Sequence, residues 1–383
     1  MALTRRHFVE ALSVAGASLL NGAATAAAAQ SAVASPARGA SAADVAPLIK
    51  LDQNENPYGP GPSVTRAVME AVNRGNRYPS RAAGGDLTDA IAALHGVARE
   101  NVILGAGSGE LLKSSVLAFV DGKRHLVAGL PTFETCTGAA KSMGYPVREV
   151  PVDGSLRLDL PAMETAAAGA GLVFFCNPNN PTGTTWPTRD LESMIDRLAA
   201  ASPDTVILVD EAYAHFVERS DYASLAARAA GDRRILVTRT FSKVFGLAGM
   251  RVGYGVGHKD TIATLRRSTT SGLIPVTSAA AALAALKDEA LIRQSVERNR
   301  EARASATKMF QDLGFPVLPS DANFVLVDVK RPPEVFQAAC RERGVLVGRP
   351  FPGLKTHSRI SFGTAEEMKR AAAVFKAVLS LTA

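Results

Sequence analysis

Lys243 closes the run Thr240-Phe241-Ser242-Lys243, and Arg251 follows eight residues later. Apolar stretches flank this lysine, 235–241 before it and the glycine-broken 249–257 after it. A lysine held between hydrophobic strands loses hydration. Its ammonium form is disfavoured, and the neutral amine becomes available to form a Schiff base with an aldehyde. The hydroxyls of Thr240 and Ser242 and the guanidinium of Arg251 suit a phosphate. Aldehyde and phosphate together describe pyridoxal 5'-phosphate (PLP). Standing alone, the run would read as a solvated lysine beside a turn, but other groups of residues stand with it.

PLP asks for four contacts: a lysine, an acid on the pyridine nitrogen, a donor on the phenolate and a phosphate cradle. Asp210 ends the apolar run 206–210 and leads into Glu-Ala-Tyr213. A carboxylate there either pairs with a pyridinium or caps a helix. Asn180, in Asn177-Pro-Asn-Asn-Pro-Thr-Gly183, offers the phenolic oxygen a hydrogen bond together with Tyr213. The Pro/Gly turn that carries Asn180 is expected in either case. Gly105-Ala-Gly107-Ser108-Gly109-Glu110 leads from a strand into a helix, so free amides and the Ser108 hydroxyl can meet a phosphate at the helix N-terminus.

Such distant residues need a scaffold that gathers them. Short apolar runs at 102–104, 125–128, 171–175, 205–209, 234–237 and 253–256 alternate with helix-like stretches such as 109–119 and 188–201. Unbroken apolar runs suit strands buried on both faces, and their alternation with helices predicts a three-layer α/β/α large domain with a mainly parallel sheet. Ligands gather at the carboxyl ends of such strands. Gly105, Asn177, Asp210 and Lys243 all follow a strand-like run. Beyond 278 the pattern predicts one long helix to about 313, strands at 316–329, 345–347 and 359–362, and helices at 333–343 and 365–381. This describes a smaller α+β domain. The expected division is an N-terminal segment at 48–80 joining the small domain, a PLP-binding large domain at 81–272 and a C-terminal small domain at 273–383.

Composition agrees with a soluble enzyme: 383 residues, 47% hydrophobic and 21% charged. The net charge of +7 is spread along the chain without a basic block, which argues against nucleic-acid binding. Three widely spaced cysteines, Cys136, Cys176 and Cys340, predict no disulfide framework, and the six histidines lack ligand spacing, so no metal is expected. Arg5-Arg6-His7-Phe8, a short apolar stretch at 11–20 and an alanine-rich segment ending at Ala29-Gln30 resemble a twin-arginine export signal. The expectation is a signal at 1–30, a linker at 31–47, a periplasmic mature protein and no membrane span after cleavage. A non-functional signal would leave the protein in the cytoplasm.

Taken in order, these runs resemble the fold-type I aminotransferases of class I/II, and among them the histidinol-phosphate aminotransferase group. Asn54-Glu-Asn-Pro-Tyr-Gly59, Arg77-Tyr-Pro79, Pro131-Thr-Phe133, Gly246-Leu-Ala-Gly-Met-Arg-Val-Gly-Tyr254 and Arg359-Ile-Ser-Phe-Gly-Thr364 complete the match. The resemblance implies that Lys243 carries the cofactor and moves the substrate's α-proton. Asp210 would pair with the ring nitrogen, Asn180 and Tyr213 would hold the phenolic oxygen, and Phe133 would stack on the ring. Gly107, Ser108, Gly109, Thr240, Ser242 and Arg251 would surround the phosphate. Arg359 would clamp the substrate α-carboxylate with its planar fork. Asn56, Tyr58 and Asn180 would sit at the substrate, Tyr58 at its distal end. Tyr78 would reach the phosphate in a neighbouring subunit, as in a homodimer. The implied reaction moves an amino group from an L-amino acid or a histidinol-phosphate-like amine to a 2-oxo acid such as 2-oxoglutarate, with ping-pong kinetics.

Two departures bear on the substrate. Gly109 stands where the group usually has an acidic residue. Arg349, in Val347-Gly348-Arg349-Pro350, is displaced by one from the position expected to bind substrate phosphate. It either faces the substrate side chain or lies on the surface. The rival readings are a PLP-dependent decarboxylase or lyase for a phosphorylated amino acid, and a PLP-binding sensor.

Overall fold

The computed structural model describes residues 48–78, 85–269 and 274–380. The expected export signal and linker lie outside the described residues, as do the chain positions on either side of 80/81 and 272/273 where domains were expected to divide. The chain opens with β1 (Ile49–Leu51), α1 (Pro62–Val72), α2 (Gly85–His95), β2 (Val102–Gly105), α3 (Ser108–Phe119), β3 (His125–Leu130), α4 (Thr135–Ser142) and β4 (Val147–Pro151). It continues through α5 (Leu160–Ala166), β5 (Ala170–Cys176), α6 (Thr188–Ala201), β6 (Val206–Asp210), α7 (Ala226–Gly231), β7 (Ile235–Thr240), β8 (Gly253–Gly257) and α8 (Lys259–Ser268). The last elements are α9 (Val276–Lys287), α10 (Glu289–Asp312), β9 (Val317–Leu318), β10 (Phe324–Asp328), α11 (Pro333–Glu342), β11 (Val345–Val347), β12 (His357–Ser361) and α12 (Ala365–Ser380).

The main sheet has seven strands in the order β2-β8-β7-β6-β5-β3-β4. Every neighbouring pair from β7 to β4 is parallel, and β8 runs antiparallel to both β7 and β2. Successive residues of a strand face opposite sides. Val173, Phe175, Ile207, Val209, Ile235 and Val237 accordingly join a core with α2, α5, α6 and α9. Leu172, Phe174, Leu208 and Leu236 join a second core with α3, α4 and α8. Helices therefore cover both faces, which explains why the strands read as unbroken apolar runs. This is the expected α/β/α arrangement.

A third core joins β1, β10, β11 and β12 to α10, α11 and α12. Here β1 pairs in parallel with β11, so the segment just before the Asn54 motif is a strand of the smaller layer.

Three expectations need correction. The edge strand β4 gave no apolar run because only one of its residues, Val150, is buried. The long helix expected to about 313 is two helices. Asp288 leaves the helical conformation (ψ 80°), and its carboxylate caps α10 by accepting from the Leu291 amide at 2.9 Å. Finally, α9 packs its alanines 279, 281, 282 and 285 into the core of the main sheet, although the sequence pattern grouped it with the C-terminal domain.

Candidate active site

The carboxyl ends of β2, β3, β5, β6 and β7 all contribute to one open cleft of about 1160 Å³, and the smaller layer closes it with Val347, Arg349, Phe351 and Arg359. The cleft gathers Ser108, Gly109, Phe133, Asn180, Asp210, Tyr213, Thr240, Ser242, Lys243 and Arg251, which lie far apart in sequence.

Lys243 sits just past β7, and its Nζ donates to the backbone carbonyls of Asn54 (2.9 Å) and Gln53 (3.3 Å). Burial, followed by the nearby Arg359 guanidinium, lowers its pKa to about 8. A neutral amine is therefore accessible near neutral pH. Asp210 ends β6 and is buried, and Thr238 Oγ1 donates to it at 3.0 Å. Burial raises its pKa to about 7. The Lys243 ammonium offsets this only in part, and a protonated ring nitrogen in the cleft would give the carboxylate a closer positive partner.

Anion-binding groups converge at the start of α3. Gly107, its N-cap, has φ +78° and no side chain to cap the first-turn amides. A Cβ there would overlap the guanidinium of Arg251, and one at Gly253 would overlap the Ser108 amide, so only glycine lets these groups meet. Arg251 itself takes a left-handed conformation (φ 53°) and donates to the Ala248 carbonyl at 2.8 Å. Thr240 Oγ1 lies 3.0 Å from Ser242 Oγ and accepts from the Ser242 amide at 3.1 Å. An uncapped helix N-terminus beside an arginine and two hydroxyls is an anion site. With the buried carboxyl and the softened lysine in the same cleft, the residues present fit PLP.

Arg359, on β12, is buried, and burial lowers its pKa to about 10, so it stays cationic at neutral pH. Its Nη1 donates to Asn180 Oδ1 (2.7 Å) and its Nη2 to the Asp52 carbonyl (2.5 Å), while Nε has no hydrogen-bond partner among the described residues. Because Arg359 holds the oxygen of the Asn180 amide, the Asn180 Nδ2 group is left to donate elsewhere. Arg349 lines the cleft, pairs with Glu134 and lies over the Phe351 ring at 4.4 Å. Its side chain is also half exposed, so it both lines the cleft and reaches solvent.

Other expected residues lie elsewhere. Tyr58 accepts from the Ala365 amide at 3.2 Å and lies under Arg298, in a small hollow separate from the cleft. Asn56 lines the same hollow and braces the lysine loop by donating to the Val244 carbonyl at 3.0 Å. Neither side chain lines the cleft in the single chain, because the backbone turns away after Glu55. Tyr78 is 92% exposed. The residue that sequence reasoning overlooked is Asn54. It is buried, left-handed (φ 54°) and bonded to Lys243, Tyr213, Ser361 and Asn323. Its motif was visible in the sequence, but its partners lie up to 307 positions away.

Comparison with known proteins agrees with this geometry. Residues 46–375 match the family model for aminotransferase class I and II. The chain is 38% identical over 338 residues to the histidinol-phosphate aminotransferase of Symbiobacterium thermophilum, covering 87% of this chain and 91% of that protein. Among solved structures it resembles a putative histidinol-phosphate aminotransferase from Erwinia carotovora atroseptica (TM-score 0.82, 34% identity, 87% of this chain and 97% of that one). It also resembles the histidinol-phosphate aminotransferase of Sinorhizobium meliloti in complex with pyridoxal-5'-phosphate (TM-score 0.80, 27% identity, 87% and 91% covered).

Proposed function

This chain belongs to the class I and II aminotransferases and is a PLP-dependent enzyme, and from that premise we propose how its residues divide the work and what they act on. The observation that carries the reading is the cleft that holds a softened lysine, a buried carboxyl, an anion cradle and a buried arginine together. Bound there, PLP supplies an aldehyde that condenses with amines and a ring that draws electrons from the donor's α-carbon. Lys243 holds the cofactor and, once released, carries a proton to and from the α-carbon as general base and acid. Asp210 keeps the ring nitrogen protonated. Tyr213 and the Nδ2 group of Asn180 donate to the phenolic oxygen, and Phe133 covers the ring. Gly107, Ser108, Gly109, Thr240, Ser242 and Arg251 hold the phosphate.

Arg359 binds the carboxylate of an amino-acid donor or of the 2-oxo acid acceptor, and its bond to Asn180 makes the substrate clamp and the cofactor clamp one unit. The proposed donor is an L-amino acid or a histidinol-phosphate-like amine, and the acceptor a 2-oxo acid such as 2-oxoglutarate. The names of the similar proteins and the position of Arg349 in the cleft support a phosphorylated donor. Two further proposals rest on sequence: the protein works as a homodimer, and residues 1–30 direct export through the twin-arginine route to the periplasm. Recovery of the uncleaved chain solely in the cytoplasm would refute export.

The central test is chemical. Borohydride treatment of the holoenzyme, followed by peptide mass analysis, should place a pyridoxyl group on Lys243. Single-turnover assays with histidinol phosphate, phenylalanine, aspartate and lysine should identify the donor. A Lys243→Ala variant should lose multiple turnover, and retained steady-state activity would refute the assignment.

A further inference from the structure

Asn54 lines the cleft, and its bonds fix which way the groups around it point. Its backbone amide donates to Ser361 Oγ at 2.9 Å, and the Ser361 hydroxyl donates back to Asn54 Oδ1 at 2.6 Å. The other end of the same amide, Nδ2, donates to the Tyr213 hydroxyl oxygen at 3.0 Å. Its carbonyl accepts from Lys243 Nζ and from Asn323 Nδ2, both at 2.9 Å. The bonds to Ser361, Tyr213 and Asn323 are buried, with Asn54 2% and Tyr213 3% exposed, so water does not substitute for these partners.

The polarity of the chain follows from counting protons. Ser361 Oγ accepts from the Asn54 backbone in any arrangement, so its own proton needs an acceptor. Asn54 Oδ1 is the acceptor found among the described residues. Turning the amide over would strand that proton in a dry site, where an unmet donor is strongly disfavoured. The Nδ2 end is therefore committed to Tyr213, whose oxygen receives a hydrogen bond. The Tyr213 O–H proton is left to be donated into the cleft that this residue lines. A left-handed backbone at a residue other than glycine, held by partners just before β10, on β12 and on the lysine loop, is the kind of outlier that functional sites retain.

We propose that Asn54 is a positioning residue that sets the direction of the Tyr213 hydroxyl, presenting its proton to the phenolic oxygen of the cofactor. Ser361 acts through Asn54 by fixing the orientation of its amide. The inference rests on the reading that Tyr213 faces that oxygen, and the experiment separates the two ideas.

The readout is the pH midpoint of the visible absorption of the bound cofactor, measured without substrate. A donor on the phenolic oxygen stabilises its anionic form, so losing the donor raises the midpoint. Tyr213→Phe tests the underlying reading and should raise it by about one to two units, the size expected for a lost charge-assisted hydrogen bond. Asn54→Asp replaces the amide donor with an acceptor that draws the Tyr213 proton away from the cleft, and should give a rise of similar size. Asn54→Gly keeps the left-handed backbone and deletes the amide, and should give a smaller rise in the same direction. Ser361→Ala, which frees the amide to turn, should behave like Asn54→Gly and covers the case in which an Asn54 variant fails to fold. If Tyr213→Phe moves the midpoint and the Asn54 and Ser361 variants that fold do not, the positioning role is wrong and the reading of Tyr213 stands. If Tyr213→Phe leaves it unmoved, both are wrong.

Discussion

Arg349 and Arg359 share the Phe351 ring, at 4.4 and 5.1 Å, but are built for different work. Arg359 is buried and tied to Asn180 and to the Asp52 carbonyl, so its position is fixed before substrate arrives. The Arg349 side chain is half exposed and pairs with a half-exposed Glu134, an arrangement worth at most about 1 kcal/mol to the fold. A substrate phosphate can therefore take Arg349 from Glu134 at small cost. Changing Arg349 to alanine should raise KM for a phosphorylated donor about tenfold, the effect of losing about 1.4 kcal/mol. The KM for phenylalanine and the melting temperature should barely change. An equal rise for both donors would show that Arg349 does not read the phosphate.

At the scale of elements, the join between β8 and the start of α3 decides whether the cradle forms. Gly107 stands at φ +78° against the Arg251 guanidinium, so an alanine there brings both a backbone cost of about 1–2 kcal/mol and a methyl group that displaces Arg251. The Gly107→Ala protein should fold with a slightly lower melting temperature and bind PLP at least tenfold more weakly by fluorescence titration; unchanged affinity would remove Arg251 from the cradle. The glycine-rich run was legible in sequence because tight turns before helices demand glycine. The reversal of β8 was not, since an apolar run carries no sign of its direction. Nor was β4, whose edge position leaves it too polar to stand out. The break at Asp288 could have been found, because an aspartate before Glu-Ala-Leu is an ordinary helix start.

For the whole molecule, the single chain leaves apolar side chains in solvent around α1. Met69 is 69% exposed, Val72 58% and Tyr78 92%. Exposed apolar side chains close together in sequence, beside an open groove lined by Pro60, Pro62 and Met69 together with Thr65, Arg66, Glu70 and Asn73, support the proposed homodimer. If Tyr78 completes the neighbouring phosphate site, Tyr78→Phe should weaken PLP binding several-fold while sedimentation still reports a dimer. A monomer at micromolar concentration would refute the dimer, and an unchanged PLP affinity the role of Tyr78.

The sequence alone determined the chemistry of the cleft and the layers that carry it. A lysine, an aspartate, an arginine and a glycine turn each follow an apolar run, and strands buried on both faces leave a local signature. Tertiary structure decided the relations between groups. It placed Arg349 in the cleft, took the Tyr58 and Asn56 side chains out of it and made Asn54 the meeting point of Lys243, Tyr213 and Ser361. Hydrogen-bond direction depends on which donors and acceptors are brought face to face across hundreds of residues, and no local pattern of residue types encodes that.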